Sequence, residues 1–479
     1  MRSIVRMGAA ASTLAAALIC TSSVAYAQKS GGILKMYHRD NPPTLSIHES
    51  ATNSTVIPIM GVMNNLVLFD QNKPQNSASG IVPDLATAWK WSDDGKQLTF
   101  SLVDNAKWHD GKPFTSADVK CTFDMVAGKS EDNKLRRNPR SSWYWNVDKI
   151  TTNGPKEVTF HLNEPQPSLL VLLASGYSPV YPCHVPAAQM RTKPVGTGPF
   201  KLADYKQKEG VKLVRNPDYF KKGKPYLDGI DIPVVPARGT AILGFVTRQY
   251  DMTAPYFVTI PLIKDVKEQA PQAICETASM NNATNLILNR DAPPFNNPEI
   301  RRAMLLALDR KAFIDILNQG QAESGGTMQP RSDGVWGLPK EMFEAISGYG
   351  PDVAKNRAEG RAIMEKLGYG PNNKLKLKVA TRNHLLYRDP AVILIDQLKK
   401  IHIDGGLDPI DTTVWYTKIQ RKDYQIGMNL TGVGVDDPDV NFYENYYSTS
   451  DRNYTAYKNP EVDKLIDAQS ARSEEHTSE

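Results

Sequence analysis

Short runs of alternating hydrophobic and polar residues characterise the part of the chain from about residue 81 to residue 186. Residues 98–102 and 158–162 place hydrophobic side chains at every second position, the period of a half-buried strand. The segments 93–95 (Asp-Asp-Gly) and 152–154 (Thr-Asn-Gly) come just before these runs and are typical hairpin turns. The pattern predicts antiparallel hairpins.

A helix is expected between the two hairpins. Thr115 stands three residues before Asp118, a spacing that resembles a capping box, and hydrophobic residues continue through Val119 and Phe123. Together with the hairpins, this helix predicts a small α+β subdomain. Before it, Ile33–Tyr37 reads as a strand that opens a mixed α/β lobe.

A third pattern begins near residue 283, where strands alternate with helices. Residues 285–289, 375–379 and 426–430 are predicted strands, and 391–400 is a predicted helix. Asn297 can cap a further helix, with Pro298 in the first turn, where a missing N–H costs nothing. Alternating strands and helices indicate a βαβ lobe with a parallel or mixed sheet.

The first 27 residues have the features of a secretory signal peptide. Arg2 and Arg6 precede an uncharged apolar run from residue 9 to residue 19, and Ala25-Tyr26-Ala27 is a small-x-small cleavage site. The run is well short of the ~20 residues that a spanning helix needs. We therefore predict that residues 1–27 are removed and that the mature chain is exported.

Composition excludes several classes of protein. A formal net charge of +5 over 479 residues, of which 41% are hydrophobic, implies no nucleic-acid or other polyanion partner. Cys121, Cys183 and Cys275 remain after cleavage. This odd number allows one disulfide, leaves at least one thiol free and rules out a disulfide framework.

Six motifs in one order resemble a known family. They lie at 83–119 (from Pro-Asp-Leu-Ala to the Lys-Trp-His-Asp-Gly-Lys-Pro-Phe-Thr segment), 195–200 (Val-Gly-Thr-Gly-Pro-Phe), 215–220, 225–228, 289–310 and 459–463. The chain resembles the family 5 extracellular solute-binding proteins of ABC importers, which bind peptides, nickel or opines. The resemblance implies a ligand enclosed between two lobes and delivered to an ABC permease in the inner membrane. A monomer without catalytic residues, cofactor or metal is expected.

The resemblance also implies the domain organisation. We expect an α/β, two-lobed periplasmic-binding-protein fold, class II-like with mixed sheets, and an extra small α+β subdomain on the first lobe. Lobe I is assigned to 28–70 and 195–284, the subdomain to 71–194 and lobe II to 285–471. Family members continue beyond this point, so lobe II is expected to be incomplete. Residues 472–479 show no family resemblance, and a frameshift, an assembly error or a foreign tail is expected there, disordered or poorly placed, with a natural end as the alternative.

Candidate ligand-binding residues follow the predicted strands, because open α/β sheets bind ligands at the carboxyl ends of their strands. Tyr37 and His38 end the first strand. His384, Tyr387 and Arg388 follow the strand that is predicted to end at Ala380. A plain surface role is the alternative for each of them.

An acidic loop supplies the last candidates. Peptide-binding relatives hold the ligand's ammonium group with an aspartate after a Gly-Trp pair. The corresponding residues 429–433 of this chain lack that pair, and Val433 stands where the aspartate is expected. Asp436 or Asp437 is expected to take that role if the loop is shifted, because a buried ammonium needs an opposite charge nearby. A solvated acidic loop is the alternative, and glycine and glutamate are missing where a calcium loop needs them.

The remaining motifs favour structural roles. Trp89, Trp91, Trp108 and Phe114 are expected to pack the subdomain rather than to form a stacking platform for a ligand. Gly196 and Gly198 are expected to allow a tight turn, since no phosphate-loop lysine follows them. No nucleophile elbow and no metal-binding histidine spacing is present. An exported hydrolase with an unfamiliar cleft site is the alternative function, and a chaperone-like or adhesive surface protein is a third.

Overall fold

The structure is a computed structural model that describes residues 29–73, 76–254, 257–277, 282–326, 328, 336–432 and 435–472. Its strands are β1 (Ile33–Lys35), β2 (Val67–Phe69), β3 (Ile81–Pro83), β4 (Ala86–Trp91), β5 (Gln97–Leu102), β6 (Val147–Thr152), β7 (Glu157–Leu162), β8 (Phe200–Lys206), β9 (Gly210–Arg215), β10 (Gly229–Pro233), β11 (Asn282–Leu288), β12 (Leu375–Arg382), β13 (Ile403–Ile410) and β14 (Ile426–Gly432). Its helices are α1 (Asn53–Ile59), α2 (Ser116–Val126), α3 (Ser168–Ala174), α4 (Arg238–Val246), α5 (Ile260–Gln269), α6 (Pro298–Ala307), α7 (Arg310–Asn318), α8 (Lys340–Glu344), α9 (Val353–Lys366), α10 (Leu385–Leu398), α11 (Thr412–Gln420), α12 (Pro438–Asn445) and α13 (Pro460–Ser470).

The first lobe contains a sheet built from two distant parts of the chain. The strand order is β1-β10-β9-β8, with β1 parallel to β10 and the other pairs antiparallel. Because β1 lies beside a strand that is about 200 residues later, the chain must leave this sheet and return to it. Residues 36–40, which follow β1, are thereby fixed beside Val234 through the bridge from His38.

The predicted hairpins are present in a second sheet, with strand order β4-β5-β7-β6 and antiparallel pairing throughout. Gly95 (φ +67°) and Gly154 (φ +62°) supply the left-handed residues of the two turns. The capping box at Thr115 and Asp118 is also confirmed. All these strands lie within the range 71–194, although the domain boundaries themselves stay a prediction.

Aromatic side chains pack this part of the molecule, as the sequence predicted. Trp108 and Phe114 are buried and meet edge to face with ring centroids 6.0 Å apart. Trp89 and Trp91 are partly buried against the same core. A ligand platform made of these four side chains is therefore not supported.

One disulfide joins Cys121 in α2 to Cys183, and Cys275 is a free thiol. The sequence left this pairing open. The bond closes a loop of 62 residues, which in the chain-entropy model is worth about 4 kcal/mol of stability. It ties α2 to the segment that leads back towards β8.

The second lobe has the mixed sheet that the alternation of strands and helices predicted. Its order is β11-β14-β12-β13, with β12 parallel to both neighbours and β11 antiparallel to β14. Asn297 caps α6, and its side chain accepts from the backbone N–H of Glu299. Strand β12 continues two residues beyond the expected end at Ala380, since Thr381 and Arg382 still pair with β13.

The chain bends at residues 197–199, where a tight turn was expected, but the turn is not what requires glycine at positions 196 and 198. Neither has a positive φ. Instead, a Cβ on Gly196 would lie 1.8 Å from the carbonyl oxygen of Val62, and one on Gly198 would lie 2.5 Å from the Val62 carbonyl carbon. The glycines are needed because two backbone segments touch where the chain re-enters the first lobe.

Substituting Gly196 by alanine is therefore expected to destabilise the protein by about 3 kcal/mol, since backbone rather than a flexible side chain must move. Gly239→Ala is the matched control, because nothing lies within 4 Å of a Cβ there and alanine favours helix α4. Urea unfolding followed by circular dichroism measures both. Equal midpoints for the two variants would contradict the close-approach explanation.

Two predicted segments fall wholly or mostly outside the described residues. The expected signal peptide, 1–27, and residues 473–479 of the expected tail are not described. In the part of the chain that is described, no helix is both long and apolar enough to cross a membrane.

Candidate functional site between the lobes

The ends of β1 and β12 meet where the two lobes touch. Arg382, the last residue of β12, is fully buried and reaches across to Asp40, which follows β1. Its Nη2 is paired with the Asp40 carboxylate and also donates to Ser54 Oγ at 3.2 Å and to Thr412 Oγ1 at 3.1 Å. Nη1 donates to the Tyr387 hydroxyl at 2.6 Å. We call these residues the Arg382 cluster.

The neighbours of Asp40 stabilise the ionised form of its carboxyl group. Burial by itself raises the pKa of this carboxyl, but the guanidinium groups of Arg382 and Arg39 outweigh burial and bring the pKa well below its usual range. The cluster is therefore an ionised pair at every pH at which the protein is expected to work.

Tyr37 and His38 lie next to this cluster. The Tyr37 ring is buried against Tyr250 and Phe257, with centroids 5.2 and 5.3 Å away, and burial raises the pKa of its hydroxyl to about 12. His38 Nε2 is 3.1 Å from the Ser54 carbonyl oxygen and 3.6 Å from Asp40 Oδ1. Burial lowers the pKa of His38 to about 4, so its imidazole is neutral at pH 7.

His384 and Tyr387 reach the same place from the second lobe. His384 caps α10, and its ring lies 5.6 Å from that of Phe257 in the first lobe. Burial, followed by the charge of Arg39, lowers the pKa of His384 to about 3. Arg388 lies apart, with its guanidinium 3.5 Å from the exposed Asn383 side chain. The structure thus brings together four of the five candidates that follow β1 and β12.

Asp436 and Asp437 are positioned by a different contact. The Asp436 N–H donates to the Asn76 carbonyl oxygen at 3.3 Å. Asp437 is buried and caps α12, accepting from the Asp439 N–H at 2.9 Å. Asp439 in turn accepts from Ser168 Oγ of the first lobe at 2.5 Å. The backbone of this loop thus contacts Asn76, and among the described residues neither the Asp436 nor the Asp437 carboxylate joins the Arg382 cluster.

A further buried charge cluster spans the lobes, and we call it the Arg140 cluster. Glu444 of α12 pairs with Arg452 at 2.6 Å and faces Arg140 of the subdomain at 3.8 Å. The Arg140 guanidinium lies 3.3 Å from the Tyr177 ring centroid and donates to the Ser50 carbonyl oxygen at 2.6 Å.

Sequence reasoning missed both arginine clusters. Asp40 and Arg382 are separated by 342 positions, and Arg140 and Glu444 by about 300. A local signal was available for Arg382 alone. Had strand β12 been predicted to end at Arg382 instead of Ala380, this arginine would have counted as a candidate, because ligands bind at the carboxyl ends of strands. Nothing local marks Arg140 or Glu444.

Two cavities are notable. One, of about 540 Å³, is a surface depression lined by residues of α5 and the segment after α7, and none of the cluster residues lines it. The other, of about 20 Å³, lies between the lobes beside Arg452. None of the candidate ligand-binding residues lines this smaller cavity. Among the described residues no group of three metal-ligating side chains is assembled.

Comparison with known proteins identifies this two-lobed arrangement. The family model of the bacterial extracellular solute-binding proteins, family 5 (middle), matches residues 80–453. The chain belongs to this family. This confirms the resemblance that the motifs indicated.

Relatives of this family 5 protein are similar over most of their length. A probable D,D-dipeptide-binding periplasmic protein, DdpA, of Escherichia coli K12 is 25% identical, and the match covers 95% of this chain and 86% of the relative. The oligopeptide-binding protein AppA of Bacillus subtilis has been solved with a nonapeptide. It superposes with a TM-score of 0.80 at 22% identity, covering 93% of this chain and 88% of AppA.

A third comparison shows how varied the ligands of this fold are. AgaA of A. tumefacien R10, solved with agropinic acid, gives a TM-score of 0.75 at 24% identity over 92% of this chain and 86% of AgaA. Together these structures confirm the two-lobed periplasmic-binding-protein fold. The named relatives are binding proteins rather than enzymes.

Proposed function

We propose that this protein is the periplasmic receptor of an ABC importer and captures a peptide or a similarly small polar organic solute between its lobes. The loaded protein then delivers the solute to a permease in the inner membrane. It acts as a monomer and performs no chemistry on its cargo. The observation that carries the proposal is the family match over residues 80–453, together with a lobe contact lined by buried charges.

Two groups of side chains are proposed to contact the cargo. Tyr37, His38, His384 and Tyr387 supply aromatic and neutral imidazole surfaces where β1 and β12 end. Asp436 or Asp437 supplies a carboxylate for an ammonium group, in a loop that faces the first lobe. Arg388 stays a candidate at the edge of the site.

The contact between the lobes explains how a ligand favours their closed arrangement. Arg382 and Arg140 are buried where the lobes meet, and each faces a carboxylate of the opposite lobe. A ligand that adds contacts to both lobes shifts the equilibrium towards the closed arrangement by its differential affinity for that state. The alternative of an exported hydrolase has no support from the relatives.

A thermal-shift screen tests the receptor function. The protein is unfolded, freed of carried solutes by dialysis, refolded and mixed with dipeptides, tripeptides and longer peptides. A ligand at 100 times its Kd stabilises the native state by about 2.7 kcal/mol, so the melting temperature should rise. Mass spectrometry should recover the peptide intact.

Variants locate the binding site in the same screen. His384→Ala is expected to weaken the shift, whereas His184→Ala, an exposed histidine of the subdomain that pairs with Asp110, should not. Absence of a shift with every peptide contradicts the peptide assignment. Peptide turnover that is lost in a cleft variant would favour the hydrolase.

A further inference from the structure

Two buried histidines accompany the ion pair that joins the lobes, and each lobe contributes one of them. His38 of the first lobe is 2% exposed, and its Nε2 lies 3.6 Å from Oδ1 of Asp40, the partner of Arg382. His384 of the second lobe is 6% exposed, and its ring meets that of Phe257 in the first lobe with centroids 5.6 Å apart. Both imidazoles can therefore respond to how the lobes meet.

The His384 ring can keep its hydrogen bond only while it is neutral. Its Nδ1 accepts from the Leu386 N–H at 3.3 Å and thereby caps helix α10. A protonated imidazole carries a hydrogen on both ring nitrogens and cannot accept. A positive charge at the N-terminus of a helix is also unfavourable because of the helix dipole. A proton on His384 therefore removes the cap.

Among the described residues, the charged groups that face the His384 ring are mainly positive. They come from both lobes and are Arg39, Asp40 and Arg238 of the first lobe and Arg382 of the second. Asp389 of α10 partly offsets Arg238, and the Tyr387 hydroxyl stays neutral because burial raises its pKa. When the lobes meet, the first lobe thus brings two guanidinium groups and one carboxylate towards this ring, which disfavours its protonated form.

His38 depends on the lobe contact through Asp40. The charged groups that face it are Asp40, Arg39 and Arg382. While the lobes meet, the Asp40 carboxylate is paired with Arg382. When they separate, Arg382 leaves with the second lobe, and the carboxylate is free to pair with a protonated His38. The Ser54 carbonyl oxygen, 3.1 Å from Nε2, belongs to the first lobe and stays in place in either arrangement.

We propose that His38 and His384 make closure of the lobes sensitive to acid. Each imidazole binds a proton more readily when the lobes are apart, so protonation favours the open arrangement and the release of cargo. As a means of regulating cargo binding, this device rests on the proposed receptor function.

The direction of the effect follows from proton linkage. Burial, together with the charge of Arg39, lowers the pKa of His38 to about 4 and that of His384 to about 3 while the lobes meet. A solvated histidine titrates near 6.5. Between these values the open form binds more protons than the closed form, so the open fraction rises as the pH falls below about 6.5.

Small-angle X-ray scattering of the ligand-free protein tests the inference. A histidine that regains its ordinary pKa in the open form shifts the equilibrium by up to about thirtyfold between pH 7.5 and pH 5. The radius of gyration is therefore expected to increase over this range, while the far-UV circular dichroism stays unchanged.

Three variants identify the groups that bind the protons. His384→Asn removes the titrating ring but keeps a good N-cap residue for α10, and His38→Gln keeps an amide donor for the Ser54 carbonyl. Each should reduce the increase in radius, and the double variant should abolish it. His109→Gln is the matched control, because burial lowers the pKa of His109 to about 4 while its Nε2 lies 3.0 Å from the Gly198 carbonyl oxygen of the same lobe. This variant should keep the wild-type increase.

Each result decides the inference without deciding the receptor function. An increase in radius that is reduced in both single variants and kept in His109→Gln supports it. The same radius at both pH values in the wild-type protein overturns it, as does an increase that survives in the double variant, disappears in His109→Gln or accompanies a loss of the circular dichroism signal. The receptor function depends instead on peptide binding at neutral pH, which the thermal-shift screen measures separately.

Discussion

Replacing Asp40 by asparagine is expected to separate the lobes of the free protein. The substitution removes the carboxylate that pairs with the fully buried Arg382 and leaves that cation without an opposite charge across the contact. Breaking a buried pair in this way costs about 3–5 kcal/mol. When the lobes open, water can solvate Arg382, so the equilibrium between the closed and open forms should move towards the open form by about two to four orders of magnitude. Small-angle X-ray scattering should show a larger radius of gyration.

Two controls test the explanation. The double variant Asp40→Asn with Arg382→Met removes both charges, and it should recover compactness because an apolar replacement of a buried pair is often neutral or stabilising. Asp315→Asn breaks the exposed pair with Lys311 and should leave the radius unchanged. If Asp40→Asn scatters like the wild type, the Arg382 cluster does not hold the lobes together.

The free energy of unfolding is expected to fall in mild acid, at pH values above those at which carboxylates titrate. Burial lowers the pKa of His48 to about 4, because its ring is enclosed beside Tyr181 and Nε2 lies 2.8 Å from the Pro179 carbonyl oxygen. An unfolded histidine titrates near 6.5. Between these values the unfolded chain binds a proton that the folded chain does not, so stability falls as the pH falls from about 6.5 to 4.

For His48 alone, the free energy of unfolding is expected to fall by about 3 kcal/mol between about pH 6.5 and 4. His38 and His109 have their pKa lowered to about 4 by burial as well, so they add to it. Urea unfolding between pH 7.5 and 4.5 measures the slope. His48→Gln should reduce the slope by about 1.4 kcal/mol per pH unit, since glutamine does not titrate.

Tyr181→Phe serves as the matched control for the acid experiment. It removes the hydroxyl that accepts from the Ile47 N–H at 2.8 Å. Burial raises the pKa of Tyr181 to about 12, outside the window. The variant should therefore lose a constant amount of stability at each pH, with the slope of the wild type. A His48→Gln slope equal to that of the wild type would show that this histidine does not cause the acid sensitivity.

Much of the local structure could be predicted from the sequence. The hairpins of the subdomain, the capping box at Thr115 and Asp118, and the Asn297 cap all depend on residues within a few positions of one another. The alternation of strands and helices was enough to predict a mixed sheet in the second lobe. The family resemblance then supplied the two-lobed arrangement, which the family match and the structural comparisons confirm.

The candidate site was predicted only in part. Tyr37, His38, His384 and Tyr387 were found because strand ends are local features, and the structure places them together. The arginines that bring charge to the lobe contact were missed. The chain bends at residues 197–199 as expected, but the need for glycine at 196 comes from Val62, which is more than 130 positions away.

The sequence by itself therefore determined the elements, the family and the class of function, since caps, turns and periodicity act over a few residues. Only the tertiary structure decided which charges are buried and which partner each has. The cost of a buried guanidinium depends on groups brought together from distant parts of the chain, and no local pattern records that Arg382 meets Asp40 or that Arg140 shares Glu444 with Arg452.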